Sequence, residues 1–416
     1  MFWRVSIGIA AAQLSYRRRQ TIVSTLGVAL GVGFFVATSA LMSGSEQDMV
    51  RRLLDNAPHI TIKDEFRAAA PQPVFMAFPE GAVTLSSTKP REYLRGIKNH
   101  GAKVEELSQQ PGVIAEAALM GQAIVRYASK DASAGIAGID PEKERFLTTI
   151  EDNMREGSLM RLKTSSQGMV IGRGMATRLG LGMDDLATVV SPTGLVRRMK
   201  VVGIFRTGNL LLDEGQAYML IKDAQVLLDK PFIANRIRIK IADPDIAEDI
   251  AAQLEARWGY RTESWQEVNR DFLGLFVIRN VITYSIVGAI MAVASFGIFN
   301  IISTIVMEKR RDIAILMSMG FRAADIQWIF LVQGVFVGLI GMVLGWGIGL
   351  VLLQMLGSVE INVPGLMDTQ RLPLAIGFFQ FGIGGLFAVS SAVAAAWFPA
   401  RKAAQVRPVD IIRGAT

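Results

Sequence analysis

The stretch TIVSTLGVALGVGFFVATSALM, residues 21–42, decides what kind of protein this is. It carries no charged side chain and is longer than the ~20 apolar residues that carry a helix across a ~30 Å hydrocarbon core. Thr38-Ser39-Ala40 resembles a signal-peptide cleavage site. A signal h-region is only about 7–15 residues long, however, so the segment reads as an uncleaved anchor. Working outward, residues 280–307, 326–359 and 372–400 are equally free of Asp, Glu, Lys and Arg, over 28, 34 and 29 residues. Between residues 46 and 271 the longest such run is 68–79, too short to span. The expected spans are therefore 21–42, 280–307, 326–356 and 374–398, and residues 43–272 form a large domain outside the bilayer.

The distribution of charge orients the spans. Segments 1–20, 308–325 and 399–416 together hold 12 basic residues against four acidic ones, whereas 43–272 holds 30 basic and 31 acidic. By the positive-inside rule the two ends and the 308–325 loop are cytoplasmic. The 43–272 domain and the short 357–373 loop then lie on the other face. The net charge of +7 is thus a topology signal and predicts no nucleic-acid partner. The fold class that follows is an α-helical membrane protein with four transmembrane helices and an α+β periplasmic domain inserted between the first two. The localisation that follows is a bacterial inner membrane.

Two spans outrun the bilayer in pattern. Ser43 to Asn56 continues the first as an amphipathic helix that Pro58 ends, and the second begins near Val268. Small residues recur three or four apart: Gly27 and Gly31 in span one, then Gly334, Gly338, Gly341, Gly345 and Gly349 in span three. Such residues let helix backbones approach where lipid supplies no hydrophobic force. Static packing and sliding contact surfaces both fit this pattern. No ionisable side chain lies inside a span, which argues against ion-coupled transport.

Within 58–272, Met169–Ile171, Ala187–Ser191, Lys200–Phe205, Gln216–Ile221 and Asn235–Ile241 read as strands, and Ala176–Leu181, Asp223–Leu228 and Asp245–Arg257 as helices. Residues 66–99 read as an irregular insertion. There is no cysteine, and the two histidines, His59 and His100, read as turn residues. Gly172-Arg173-Gly174 lacks a third glycine and the strand–helix context of a dinucleotide loop. Asp184-Asp185 and Asp213-Glu214 read as solvated turns. No P-loop occurs. These absences predict a non-catalytic subunit without metal or cofactor.

The loop Glu308-Lys309-Arg310-Arg311-Asp312-Ile313-Ala314-Ile315-Leu316-Met317-Ser318-Met319-Gly320 is charged at its start and apolar in its middle. It reads as a short amphipathic helix ended by Gly320, destined for the membrane surface or a partner groove. Together with the glycine-rich span that follows it, this loop resembles the shared C-terminal region of the FtsX/MacB/LolC–LolE permeases. The tail Pro399-Ala400-Arg401-Lys402-Ala403-Ala404 with Arg407-Pro408, and "GMVIGRGMATRLGLGMDDLATVVSP" at 168–192, add to the resemblance.

That resemblance implies a permease subunit paired with a second permease subunit, identical or not, and served by a separate ATP-binding subunit. Glu308, Lys309, Arg310, Arg311, Asp312, Ile313, Ala314, Ile315, Met317 and Gly320 would form the coupling helix to that ATPase. The implied action is mechanical: lipoproteins or other amphiphiles are expelled at the periplasmic face. The alternatives are MacB-like efflux through a periplasmic adaptor and FtsX-like activation of a periplasmic hydrolase. One departure is the tight 191–199 turn, where LolC-type subunits extend a hook to a lipoprotein chaperone.

Overall fold

Long apolar runs become long helices, and the computed structural model places four of them where the charge-free windows lie. It describes residues 8–10, 12, 18–65, 96–359 and 372–406. The helices are Arg18–Asn56, Arg270–Glu308, Ala323–Gly357 and Phe378–Ala404, each long and apolar enough to cross a membrane. The first and second run for 39 residues each, roughly 58 Å at 1.5 Å per residue. A short helix, Arg310–Ser318, lies between the second and third. Pro399 does not end the fourth helix but lies inside it. Most of the 66–99 insertion, the 360–371 loop and the tail beyond residue 406 fall outside the described residues.

The chain divides into two units. One comprises the helical segments up to Asp48 and from Gly274 onward; the other is Met49–Leu273. The helical unit buries an apolar core that includes Val28, Val32, Val36, Met291, Ile302, Phe330 and Ala392.

The second unit is built on ten strands: β1 (Ile60–Lys63), β2 (Val113–Tyr127), β3 (Lys130–Ile139), β4 (Met154–Gly157), β5 (Gly168–Gly172), β6 (Leu186–Val190), β7 (Val196–Phe205), β8 (Gln216–Leu220), β9 (Arg236–Ile241) and β10 (Thr262–Ser264). Their order is β10-β1-β9-β2-β3-β8-β5-β7-β4, with β6 bridging β2 and β7. The path β2-β3-β8-β5-β7-β6 therefore closes on itself. Strand β2 serves both halves. Its residues 113–118 pair with β9, and 119–127 pair with β3. One lobe is thus a four-stranded sheet backed by helices His100–Ser108 and Ala247–Trp258, with Ile60, Ile237, Val104 and Leu254 in its core. The other is a closed strand ring filled by Leu119, Val125, Ile136, Met169, Val201 and Met219. Most pairings are antiparallel; β3–β8 and β5–β7 are parallel. The unit is α+β: strands and short helices alternate from β3 to β10, but neither parallel pair is joined by a single crossover helix.

Candidate functional site

Three places in the helical unit carry chemistry or geometry relevant to function. The first is the connector between the second and third helices. Lys309 pairs with Asp312 at 2.9 Å, one turn along. Gly320 takes φ +99°, and Phe321 N–H donates to Leu316 O, closing the helix with a Schellman motif. Asp325 then accepts from Arg322 N–H at 2.9 Å and starts the third helix. Ile313 and Ala314 turn inward and join the unit's core, with Leu316, Met317 and Phe321 packed around them. Glu308, Arg310, Arg311, Asp312, Ile315 and Met319 are exposed, Ile315 by 48% and Met319 by 74%. Ile313 and Ala314 are thus covered within this chain. Among the apolar side chains expected to meet a partner, Ile315 is the open one, and Met319 joins it.

The second place is the glycine row of the third helix, which divides between two neighbours. A Cβ on Gly334 would stand 2.7 Å from Ala396 Cβ, and one on Gly338 3.0 Å from Val389 Cα, both on the fourth helix. A Cβ on Gly341, Gly345 or Gly349 would lie 2.7, 2.5 or 3.1 Å from Val28, Val32 or Val36. Both numberings advance by four, so the first and third helices run parallel, valine into glycine, turn by turn. A Cβ on Gly31 would stand 2.5 Å from Met291 Sδ and one on Gly27 3.7 Å from Ala294 Cβ, which sets the second helix antiparallel against the first.

The third place is a cavity of about 740 Å³ between the first helix, the second helix and the start of the fourth. Phe35, Tyr284, Val287, Ile383 and Phe387 form its apolar part. Ser39, Ser43 and Gln47, spaced four apart on the first helix, continue from Phe35 along one face with Gln380 opposite. Thr283, Ser285 and Ser295 return their hydroxyls to a carbonyl of their own helix, four residues back. No such bond forms at Ser39 or Ser43 among the described residues, so their hydroxyls are available to the cavity. Just beyond its polar end, Arg279 donates to Glu46 and to Met42 O, both at 3.2 Å.

The strand-rich unit corrects several expectations drawn from the sequence. Gly172 ends β5 and Arg173 opens a seven-residue helix, so strand–helix context does exist at Gly172-Arg173-Gly174. Its glycines are nevertheless explained by packing, because a Cβ on Gly172 would collide with the Asp213 backbone and one on Gly174 with Glu214 Cγ. Asp213 is no solvated turn residue. It is buried, and its carboxylate accepts from Thr207 N–H and Oγ1–H at 2.8 Å and from Gly208 N–H at 3.2 Å. His59 is buried as well, with Ile241 N–H donating to Nδ1 at 3.3 Å. Burial, with Lys240 adding to it, holds its imidazole below the usual histidine range. The turn between β6 and β7 is tight, with Ser191 N–H donating to Leu195 O and Gly194 at φ +83°. Among the described residues no group of His, Asp or Glu has the makings of a metal site.

Comparison with known proteins agrees with this architecture. The family model of the MacB-like periplasmic core domain matches residues 21–257, more than half of the chain. That of the FtsX-like permease C-terminal region matches 284–408. A lipoprotein-releasing system transmembrane protein LolC from Neisseria meningitidis is 28% identical, covering 94% of each chain. One from Xylella fastidiosa is 26% identical over 99% of this chain and 100% of its own. A macrolide export ATP-binding/permease protein MacB from Marinobacter nauticus is 24% identical over 99% of this chain, which spans 61% of that protein.

Proposed function

This chain belongs to the family of FtsX-like, MacB-like and LolC-like ABC transporter permeases, and on that premise we propose that it extracts lipoproteins or other amphiphiles from the outer leaflet of a bacterial inner membrane. It is a multi-pass membrane subunit, and relatives of this kind are permease components of ABC transporters. In the proposed arrangement both chain ends and the 308–325 connector are cytoplasmic, and the strand-rich domain is periplasmic. A separate ATP-binding subunit supplies the energy, and a second permease subunit completes the complex.

The observation that carries the amphiphile reading is the cavity. Along the first helix its lining passes from Phe35 to Ser39, Ser43 and Gln47, an order that suits the tail and head of an amphiphile, while Ala375, Ile376 and Phe379 add further apolar surface. From Phe35 to Gln47 the lining advances twelve residues, about 18 Å along the axis. One leaflet of a ~30 Å core is about 15 Å thick. A mechanical stroke is supported by the two 39-residue helices, each longer than the core is thick. The second reading, efflux through a periplasmic adaptor, is favoured by the alignment of 99% of this chain with 61% of MacB and by the tight β6–β7 turn.

The test is reconstitution with the cognate ATPase in liposomes carrying a triacylated protein. ATP-dependent release of that protein into solution supports the reading; ATP turnover without release refutes it. Coupling is tested by Ile315→Asp with Met319→Asp, which should abolish co-purification of the ATPase while the chain remains folded. Undiminished co-purification would reject the connector as the docking element.

A further inference from the structure

The joint between the two lobes of the strand-rich unit holds more buried carboxylate than buried cation. Glu116 on β2 stands directly across from Arg238 on β9, so both side chains leave the sheet on one face. Glu144 reaches the same point from helix Pro141–Leu147, which follows β3 of the ring. Glu116 is 1% exposed, Glu144 0% and Arg238 7%. The guanidinium is committed to Glu144: its Nη1 donates to Oε2, and its Nη2 donates to Oε1 at 3.1 Å. Thr148 Oγ1–H adds a 2.8 Å bond to Glu144 Oε1. Glu116 Oε1 accepts only Asp140 N–H at 2.8 Å, and Oε2 has no partner.

The remaining charged groups around the joint are turned elsewhere. Lys143 Nζ bonds Ala115 O, Lys240 Nζ bonds Leu147 O, and the Asp140 carboxylate lies 3.7 Å from Lys163 Nζ. Tyr218 is buried beside the cluster, its phenol held above its ordinary range by burial and by Glu144. Two sealed carboxyl groups against one guanidinium leave one negative charge too many, and an unpaired buried charge is avoided by taking up a proton.

We propose that Glu116 keeps that proton, and that this single proton fastens the two lobes together. Burial first, then the neighbouring Glu144 carboxylate, pushes Glu116 well above the usual carboxylate range. When the joint opens, Glu116 meets water and ionises. Between the ordinary carboxylate range and its raised value, opening therefore releases one proton, and its equilibrium constant grows up to tenfold per pH unit. The three contributors come from the sheet lobe and from the helix that follows the ring, so loss of the proton loosens the joint rather than one strand. On the proposed topology, this device reads the pH outside the cytoplasm.

Hydrogen–deuterium exchange of the full chain in lipid nanodiscs tests the device. The readout is the protection of residues 140–148 divided by that of 169–176 in the ring, which cancels the intrinsic pH dependence of exchange. The wild-type ratio should fall by up to tenfold per pH unit through the window set by Glu116. Glu116→Gln, which keeps shape and removes the titration, should give a ratio that is flat and high at alkaline pH. A flat wild-type ratio would overturn the proposal, and so would a slope retained by Glu116→Gln. Neither result depends on transport, so release of acylated protein is judged separately.

Discussion

A single methyl group placed at Gly345 should tell a packed helix interface from a merely glycine-rich helix. An alanine Cβ there would stand 2.5 Å from Val32 Cβ, 2.8 Å from Val32 Cγ1 and 2.9 Å from the Ala29 carbonyl oxygen. None of these can step aside cheaply. Valine in a helix is confined to one dominant χ1 rotamer, and the carbonyl belongs to the helix backbone. The helices must separate by several tenths of an ångström, and overpacking of this kind costs about 1–3 kcal/mol. Alanine also returns up to about 1 kcal/mol of helix propensity relative to glycine, which blurs a single measurement. Gly347, two residues on, has nothing within 4 Å of its would-be Cβ. Its alanine variant gains the propensity and pays no clash. The difference between Gly345→Ala and Gly347→Ala therefore isolates packing, at roughly 1–3 kcal/mol. SDS titration of the purified chain in mixed micelles, followed by tryptophan fluorescence, measures it. Equal midpoints for the two variants would refute the parallel valine-into-glycine contact between the first and third helices.

Other consequences concern the strand-rich unit. Arg238→Met removes the one cation facing two buried carboxyl groups and should cost about 3–5 kcal/mol in denaturant unfolding, since it leaves Glu144 uncompensated; a loss below 1 kcal/mol would mean that water reaches the cluster. For His59 burial holds the imidazole below the usual histidine range, so the unfolded chain binds its proton first as pH falls. Its contribution is complete above about pH 6.5 and is lost progressively below it. Measured from pH 8 to pH 5, the stability of the wild type relative to His59→Gln, which keeps an acceptor for Ile241 N–H, should therefore decline. Glu116 has the opposite sign. Its stabilisation is complete below the ordinary carboxylate value and disappears as pH rises through its raised one.

The membrane half of this chain is legible because hydrocarbon permits few solutions: a long uncharged run has to be a helix. The glycine row is equally visible, but its division is not. Gly334 and Gly345 look alike in the sequence, and only the placement of neighbouring helices sends one toward Ala396 and the other toward Val32. In the strand-rich unit, β2 and β3 escape a sequence reading altogether. Their alanines and glycines carry poor strand propensity, yet they face a crowded interior. A Cβ on Gly121 would run into Leu228, and Ala123, Ala132, Ala134 and Ala137 are buried. Burial and fit override propensity there. Asp213 was misleading for a related reason, since an acid beside Glu214 looks solvated until Thr207 and Gly208 close over it. The Glu116–Glu144–Arg238 cluster gathers three residues from distant parts of the chain, and no local pattern announces it.

The same contacts also indicate where the helical unit can move. The third helix is bound on two sides at backbone distance, to the fourth through Gly334 and Gly338 and to the first through Gly341, Gly345 and Gly349. Shifting either neighbour would drive a β-branched or alanine side chain out of a glycine notch, and close-packed interfaces respond to that by switching rather than by sliding. The second helix is held differently. It meets glycines of the first at Gly27 and Gly31, one of them at an ordinary van der Waals distance, and it presents Val281, Ile282, Ile286, Val293 and Phe296 outward. It also supplies Tyr284, Val287 and Gly288 to the cavity wall, whose other sides belong to the first and fourth helices. The second helix is thus one wall of the cavity and meets the first at Gly27 only at ordinary contact distance. A stroke that displaced that helix would empty or admit an amphiphile without breaking the glycine packing of the other three.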